Sequence, residues 1–414
     1  MILGTPVCLL KKNAVNVLLT FCSSVVVKPA SCRSSHGILS ATAYRYSFPL
    51  SPTLEAQTKA KELETNAFNH ASSHEEYNQL CQASMEQLEP VPVDRIERTS
   101  NVEIDGTSTR GTYMGTYKNA TYHRNGLFST VYKATDTDNQ LVALKLTTPS
   151  QMTAPHDSVR EARILAEASS THVIPLLSTF RQAGGHFVLV FPFMPCDFEE
   201  LLHQHALSPA QICSHLHDLF TALCHIHSLS VIHRDIKPSN ILLASPSGPA
   251  YLADFGIAWM PGDEGSEPVD SKITDVGTTS YRPPELLFGH AAYNESLDMW
   301  AAGCVVAEAV TPKASALFDA GPLGSELALI QSIFKTLGTP TSSVWPEAAT
   351  FPDWGKMEFY KFPPKSWQEI LPDTSENARD LVSNLIRYQS SDRMSAAAVL
   401  KHPYFDSMQP RRPE

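Results

Sequence analysis

Two motifs lying close together, His233-Arg234-Asp235-Ile236-Lys237-Pro238-Ser239-Asn240 and Asp254-Phe255-Gly256, constrain the fold of this chain more than any other feature. Between them they supply a proton acceptor in Asp235, a phosphate-contacting lysine in Lys237, and oxygen ligands for a hard divalent cation in Asn240 and Asp254. Transfer of a phosphoryl group from ATP to a hydroxyl needs these groups held together, because its catalysis is mostly positioning and charge stabilisation. The chain must therefore set a loop and a strand end against each other in one cleft. Tyr251-Leu252-Ala253 reads as the strand that delivers Asp254.

The surrounding sequence divides into two halves. Across residues 122–135, and again in Leu141-Val142-Ala143-Leu144-Lys145-Leu146, β-formers cluster around turn residues, which predicts an antiparallel sheet. Val159, Ala162, Leu165 and Ala166 share one face of a predicted helix over residues 158–169, and residues 187–193 read as a buried strand. From Ser208 onward helical spacing dominates, with Pro209 at an expected first helical position. Strands first and helices after predict an α+β fold of two lobes, a β-rich small lobe and an α-helical large lobe with a cleft between them. A hydrophobic content of 43% supports a large core, and a formal net charge of −11 argues against a basic nucleic-acid surface.

Residues 1–54 contain no acidic residue and carry Lys11, Lys12, Lys28, Arg33 and Arg45; they read as a disordered leader, with mitochondrial or secretory targeting as the minority reading. The apolar run from Ala14 to Val27 is too short and too polar to span a bilayer, so no membrane partner is expected. Residues 55–116 read as polar helix and linker, 117–405 as the catalytic domain and 406–414 as a tail. The eight cysteines include no Cys-x-x-Cys pair and suggest reduced thiols, hence a protein of the nucleus and cytoplasm. The many histidines of the large lobe, His203 to His227, read as surface or satisfied core groups rather than metal ligands.

The motif pair resembles that of protein kinases, and the resemblance implies a role for each remaining candidate. A glycine-rich loop anchored on Val131 retains only the middle glycine, Gly126, with Arg124 and Ser129 at the other two positions. Lys145 closes the strand pattern Val142-Ala143-Leu144-Lys145 and is expected to reach the ATP phosphates, positioned by Glu161, with Glu167 as a rival. Phe191, Pro192 and Met194 are expected at the hinge, where the Pro192 carbonyl accepts and the Met194 amide donates, and Asp197 is expected at the ribose. The nucleotide set comprises Gly126, Val131, Ala143, Lys145, Phe191, Pro192, Met194, Asp197, Asn240, Leu242 and Asp254, with Mg2+ on Asn240 and Asp254; the catalytic set comprises Asp235, Lys237, Lys145 and Glu161. Lys237 favours serine or threonine as acceptor. Glu285 in Pro283-Pro284-Glu285 is expected to form a buried ion pair with Arg393, and Asp298 to tie the catalytic loop from below.

Within that family, residues 117–405 are similar to the CMGC group and its cyclin-dependent kinases, through Leu337-Gly338-Thr339-Pro340, Val344-Trp345-Pro346 and Lys401-His402-Pro403-Tyr404-Phe405. Aligned on Tyr281-Arg282, the activating phosphothreonine position falls on Ile273, with Thr274 adjacent. The cyclin-contacting helix motif is replaced by Ala154-Pro155-His156-Asp157-Ser158-Val159-Arg160-Glu161, so a cyclin partner is not expected. These departures resemble the single-subunit CDK-activating kinases of fungi, monomeric enzymes whose protein substrate is another cyclin-dependent kinase. Activity would then not wait for an arginine–phosphate cluster, and Asp275 is the candidate partner left for Arg234. A cyclin-requiring kinase and a pseudokinase scaffold are the alternatives, the second resting only on the eroded glycine loop.

Overall fold

The computed structural model describes residues 112–321 and 324–408; the leader, nearly all of the 55–116 segment and the end of the tail lie outside these residues. The small lobe is built on five antiparallel strands, β1 (Lys118–Asn125), β2 (Ser129–Thr135), β3 (Leu141–Thr147), β4 (Ser178–Gln182) and β5 (His186–Pro192), in the order β1-β2-β3-β5-β4. Val142, Leu144, Val188 and Val190 form its buried apolar face together with Ala134 and Met114. Alternation explains the split: Val142 and Leu144 point into the core, which turns Ala143 and Lys145 to the opposite, cleft-facing side.

Helix α1 (Ser158–Glu167) stands beside this sheet. Asp157 caps it, accepting from the amides of Val159 (2.8 Å) and Arg160 (3.0 Å), so two orphan donors of the first turn are satisfied. The large lobe opens with the short α2 (Phe198–His203), followed by α3 (Pro209–Ser228), which starts on a reciprocal Ser208–Gln211 capping box with Pro209 behind it. Three short strands, β6 (Cys196–Asp197), β7 (Ile241–Leu243) and β8 (Ala250–Leu252), form a second sheet under the cleft. Then come α4 (Pro284–Leu287), α5 (Ser296–Val310), α6 (Glu326–Leu337), α7 (Trp367–Ile370), α8 (Glu376–Leu385) and α9 (Ala396–Val399).

Helix α5 is buried on every side, from Leu297 to Ala309, and forms the centre of the large-lobe core. Its N-terminal turn carries Asp298, whose carboxylate accepts from the amides of His233 and Arg234 and from His227 Nε2, each at 2.9 Å. The catalytic loop is thereby fastened to the core from below. Burial alone would raise the Asp298 carboxyl; the hydrogen bond and charge of His227 outweigh it and hold the carboxyl below the ordinary carboxylate range. A depressed folded-state pKa means this stabilisation is complete above the unfolded value and is lost as pH falls through the folded one. Thermal melting is therefore expected to weaken from about pH 4 downward, and Asp298→Asn to shrink that acid limb.

Candidate active site

The two lobes meet along a cleft whose polar groups arrive from four elements. From β3, Lys145 extends its ammonium to both Glu161 oxygens on α1 (2.7 and 2.8 Å) and to Oδ1 of Asp254 (2.7 Å). Glu161 is 1% exposed, so the structure selects it, and not Glu167, as the partner. Burial of Lys145 opposes its charge, but Asp254 and then Glu161 outweigh it and hold the ammonium well above its usual range. Lys145 in turn holds the Asp254 carboxyl well below the usual carboxylate range. Both groups thus stay charged across neutral pH.

Asp254 follows β8 with φ +64°, a left-handed conformation that turns its half-exposed side chain into the cleft, while Phe255 is fully buried against the His233 ring at 4.7 Å. On the catalytic loop, Asp235 Oδ1 accepts from the Thr278 amide (2.9 Å) and hydroxyl (2.8 Å). Its Oδ2 meets Lys237 Nζ at 2.7 Å and Asn240 Nδ2 at 3.1 Å. Lys237 also donates to the Thr278 hydroxyl at 2.8 Å. Asn240 gives its amide hydrogens to Asp235, through the backbone oxygen (2.8 Å) and the carboxylate, which leaves Oδ1 as a ligand for a cation. Asn240 and Asp254 together offer the hard oxygen ligands that a divalent ion needs, so the residues present fit such an ion.

The nucleotide candidates fall around the same cleft. Val131 pairs with Lys145, Ala143 with Phe191 and Val142 with Pro192, which places Phe191 and Pro192 where β5 runs into the inter-lobe connection containing Met194. Asp197 in β6 pairs with Leu242 in β7, bringing these two together on the large-lobe side. Asp197 also caps α2 through the Glu200 amide at 2.9 Å and lies 3.9 Å from Arg124 of the eroded loop. At Gly126 the loop turns tightly: its amide donates to Ser129 O at 2.7 Å, and a Cβ would sit 2.7 Å from the Ser129 hydroxyl, which would have to rotate away. At the loop tip Phe128 packs on His156 just before α1, with ring centroids 4.7 Å apart.

The activation segment departs from the sequence expectation at one pair. Arg234 donates to Glu267 Oε1 at 3.0 Å, not to Asp275, which is 85% exposed and pairs with Arg282 at 2.8 Å. The segment folds back under α1 before it reaches Ile273, and that earlier turn brings Glu267 beneath Arg234. Ile273 packs against the apolar cluster of Ile232, Ile257, Trp259, Val276, Leu286, Tyr293 and Leu297, an environment suited to its side chain. Gly277 has φ +77°, its carbonyl accepts from Arg282 Nε (2.9 Å), and a Cβ there would lie 2.6 Å from the Arg234 carbonyl, so only glycine fits. Two residues of the site, Thr278 and Glu267, lie outside the motifs that mark the others. The small-residue run Gly277-Thr278-Thr279 and the acid-rich stretch 263–267 facing Arg160 and Arg163 were the available signals.

Beneath the segment, Glu285 and Arg393 form a bidentate pair at 2.5 and 2.7 Å with both side chains at 1% exposure or less. Among the described residues no helix is long and apolar enough to cross a membrane.

The protein kinase domain family matches residues 125–405, which is more than half of the chain. Serine/threonine-protein kinase csk1 of Schizosaccharomyces pombe is 38% identical over 251 residues, covering 60% of this chain and 80% of that protein. Cyclin-dependent kinase 20 of Danio rerio is 36% identical over 253 residues (61% of this chain, 71% of the relative). Cyclin-dependent kinase D-1 of Arabidopsis thaliana is 35% identical over 288 residues (68% and 69%). Such a domain uses ATP and a divalent metal and acts on protein substrates. With the cleft assembled as described, the chain belongs to the protein kinase family, as a serine/threonine kinase of the cyclin-dependent-kinase-like CMGC branch.

Proposed function

We propose that this kinase transfers the γ-phosphate of Mg-ATP to the activation-segment threonine of other cyclin-dependent kinases, acting as a monomer in nucleus and cytoplasm and so contributing to cell-cycle control. The observation that carries this reading is an assembled cleft, with Lys145 paired to Glu161 and Asp254 (2.7 Å each), in a chain whose phosphothreonine position is Ile273. Ile273 has no hydroxyl, so in this reading activity does not wait for phosphorylation at that position.

In this reading the hinge residues Phe191, Pro192 and Met194 hold the adenine, and Asp197 holds the ribose. Lys145, kept extended by Glu161, meets the α- and β-phosphates. A divalent ion held by Asn240 and Asp254 would neutralise charge on the phosphates. Asp235 orients the acceptor hydroxyl and takes its proton. Lys237, 2.7 Å from Asp235, lies next to the transferring group and offsets its charge. Thr278 bonds both Asp235 and Lys237 and holds their side chains in one orientation.

The test is transfer of labelled phosphate by the full chain to a monomeric cyclin-dependent kinase and to its activation-segment Thr→Ala variant. Label on the wild-type substrate alone is expected. Equal label on both would contradict the proposed substrate site, and ATP binding without transfer to any protein would favour the scaffold reading.

A further inference from the structure

The activation segment contains an acidic turn that the phosphoryl-transfer chemistry does not use, Asp263-Glu264-Gly265-Ser266-Glu267. Each of its carboxylates meets an arginine. Arg163 on α1 donates Nε and NH2 to Asp263 at 2.7 and 2.9 Å and lies 3.3 Å from Glu264. Arg234, on the catalytic loop, donates to Glu267 Oε1 at 3.0 Å. Arg160, also on α1, lies 3.9 Å from Glu267 Oε2 and donates to the carbonyls of Gly265 (2.6 Å) and Pro155. Three arginines thus face three carboxylates. The neighbouring Lys272 is engaged elsewhere, by the carbonyls of Val269 and Tyr293 and by the Trp259 ring at 4.5 Å.

The Glu267 end of the contact is buried: the Arg160 and Arg234 side chains are 2% and 0% exposed, so solvent screens little of the attraction there, whereas Arg163 and Glu264 lie at the surface end. Burial works against the charge of Glu267, but Arg234 and Arg160 outweigh it and keep the carboxyl below its ordinary range.

The two elements joined are the two that must be placed for catalysis. Arg160 precedes Glu161, the carboxylate that positions Lys145, and Arg234 precedes Asp235. The Asp157 amide adds a third tie, donating to the carbonyl of Gly256 at 3.0 Å. Activation segments that depend on phosphorylation are ordered when a new phosphate pairs with arginines; here the Glu267 carboxylate lies between two arginines, bonded to Arg234 at 3.0 Å and 3.9 Å from Arg160.

We infer that the turn 263–267 is a built-in activator: it holds α1 and the catalytic loop in working register, so that neither phosphorylation of the segment nor a second subunit is required. The inference rests on the kinase reading and names its mode of regulation. The turn supplies to α1 the anchoring that a partner subunit would otherwise provide, and to Arg234 the anion that a phosphate would provide.

The test uses the full chain, treated with phosphatase, with two readouts: phosphate transfer to a serine/threonine peptide pool, and hydrogen exchange of residues 158–167. Dephosphorylated wild type is expected to turn over without added protein. Glu267→Gln keeps the volume but removes the charge; it is expected to lower kcat by about tenfold or more and to speed exchange in α1. Arg163→Asp is expected to do the same in milder form, and the swap Arg163→Asp with Asp263→Arg to restore it, which keeps the test open if Glu267→Gln folds poorly. A wild type inactive until its segment is phosphorylated or a partner is added would overturn the inference, as would Glu267→Gln indistinguishable in rate and exchange. If wild type transfers nothing under any condition, the kinase reading has failed, and α1 exchange in the variants still decides whether the clamp exists.

Discussion

Asp235→Asn is expected to lower phosphate transfer by about 10²–10⁴-fold while leaving ATP affinity within a few-fold of wild type. The carboxylate accepts four hydrogen bonds or ion contacts, from the Thr278 amide and hydroxyl, Lys237 and Asn240, all at 3.1 Å or less. An asparagine retains one carbonyl oxygen, but its amide must then face either Thr278 or the Lys237–Asn240 pair, which are themselves donors. The substitution removes the proposed proton acceptor and disturbs Lys237 together. On the nucleotide side of the cleft Lys145, Glu161 and Asp254 make no hydrogen bond to Asp235, and Asn240 keeps its bond to the Asp235 backbone oxygen (2.8 Å), so binding should survive. Rates from steady-state transfer and ATP affinity by calorimetry check the split; a parallel loss of both would mean the loop had collapsed.

Breaking the Glu285–Arg393 pair from one side should be the most damaging single change to stability, at about 3–5 kcal/mol. Arg393→Met leaves the Glu285 carboxylate at 1% exposure without its bidentate partner. It also deletes bonds to the carbonyls of Arg387 (2.9 Å) and Ser296 (3.0 Å) and a guanidinium stacked 5.0 Å from the Trp300 ring. Replacing both members, Glu285→Leu with Arg393→Met, is expected to recover part of the loss, because no unpaired charge then remains buried. Urea unfolding of the single and double variants against wild type measures this, and a single variant within about 1 kcal/mol of wild type would contradict the assignment.

Much of the architecture is legible in the sequence because its period is short and its chemistry dense. The predicted helix at 158–169 is observed over Ser158–Glu167, and the predicted strand at 187–193 over His186–Pro192, where apolar spacing carries the signal. Strand β4, Ser178–Gln182, gives no such signal because it is an exposed edge with only Phe180 partly buried. The cleft candidates are legible because each sits in a local motif. Glu267 cannot, since its meaning depends on a turn that brings residues 33 positions apart together. Asp275 is the acid beside the Gly277-Thr278 run, yet the chain turns at Gly277 (φ +77°) and Asp275 faces solvent beside Arg282. The same turn explains Gly277 itself: the Arg234 carbonyl passes within 2.6 Å of where a Cβ would lie, a proximity that no sequence spacing reveals.

The most direct test of the proposed activity is a side-by-side incubation of the dephosphorylated full-length chain and its Asp235→Asn variant with ATP, a divalent metal and a monomeric cyclin-dependent kinase, with the modified residue mapped by mass spectrometry. One phosphorylated threonine, in the substrate's activation segment, is expected with the wild type and essentially none with the variant. Phosphate elsewhere on the substrate, or equal labelling by the variant, would contradict the assignment.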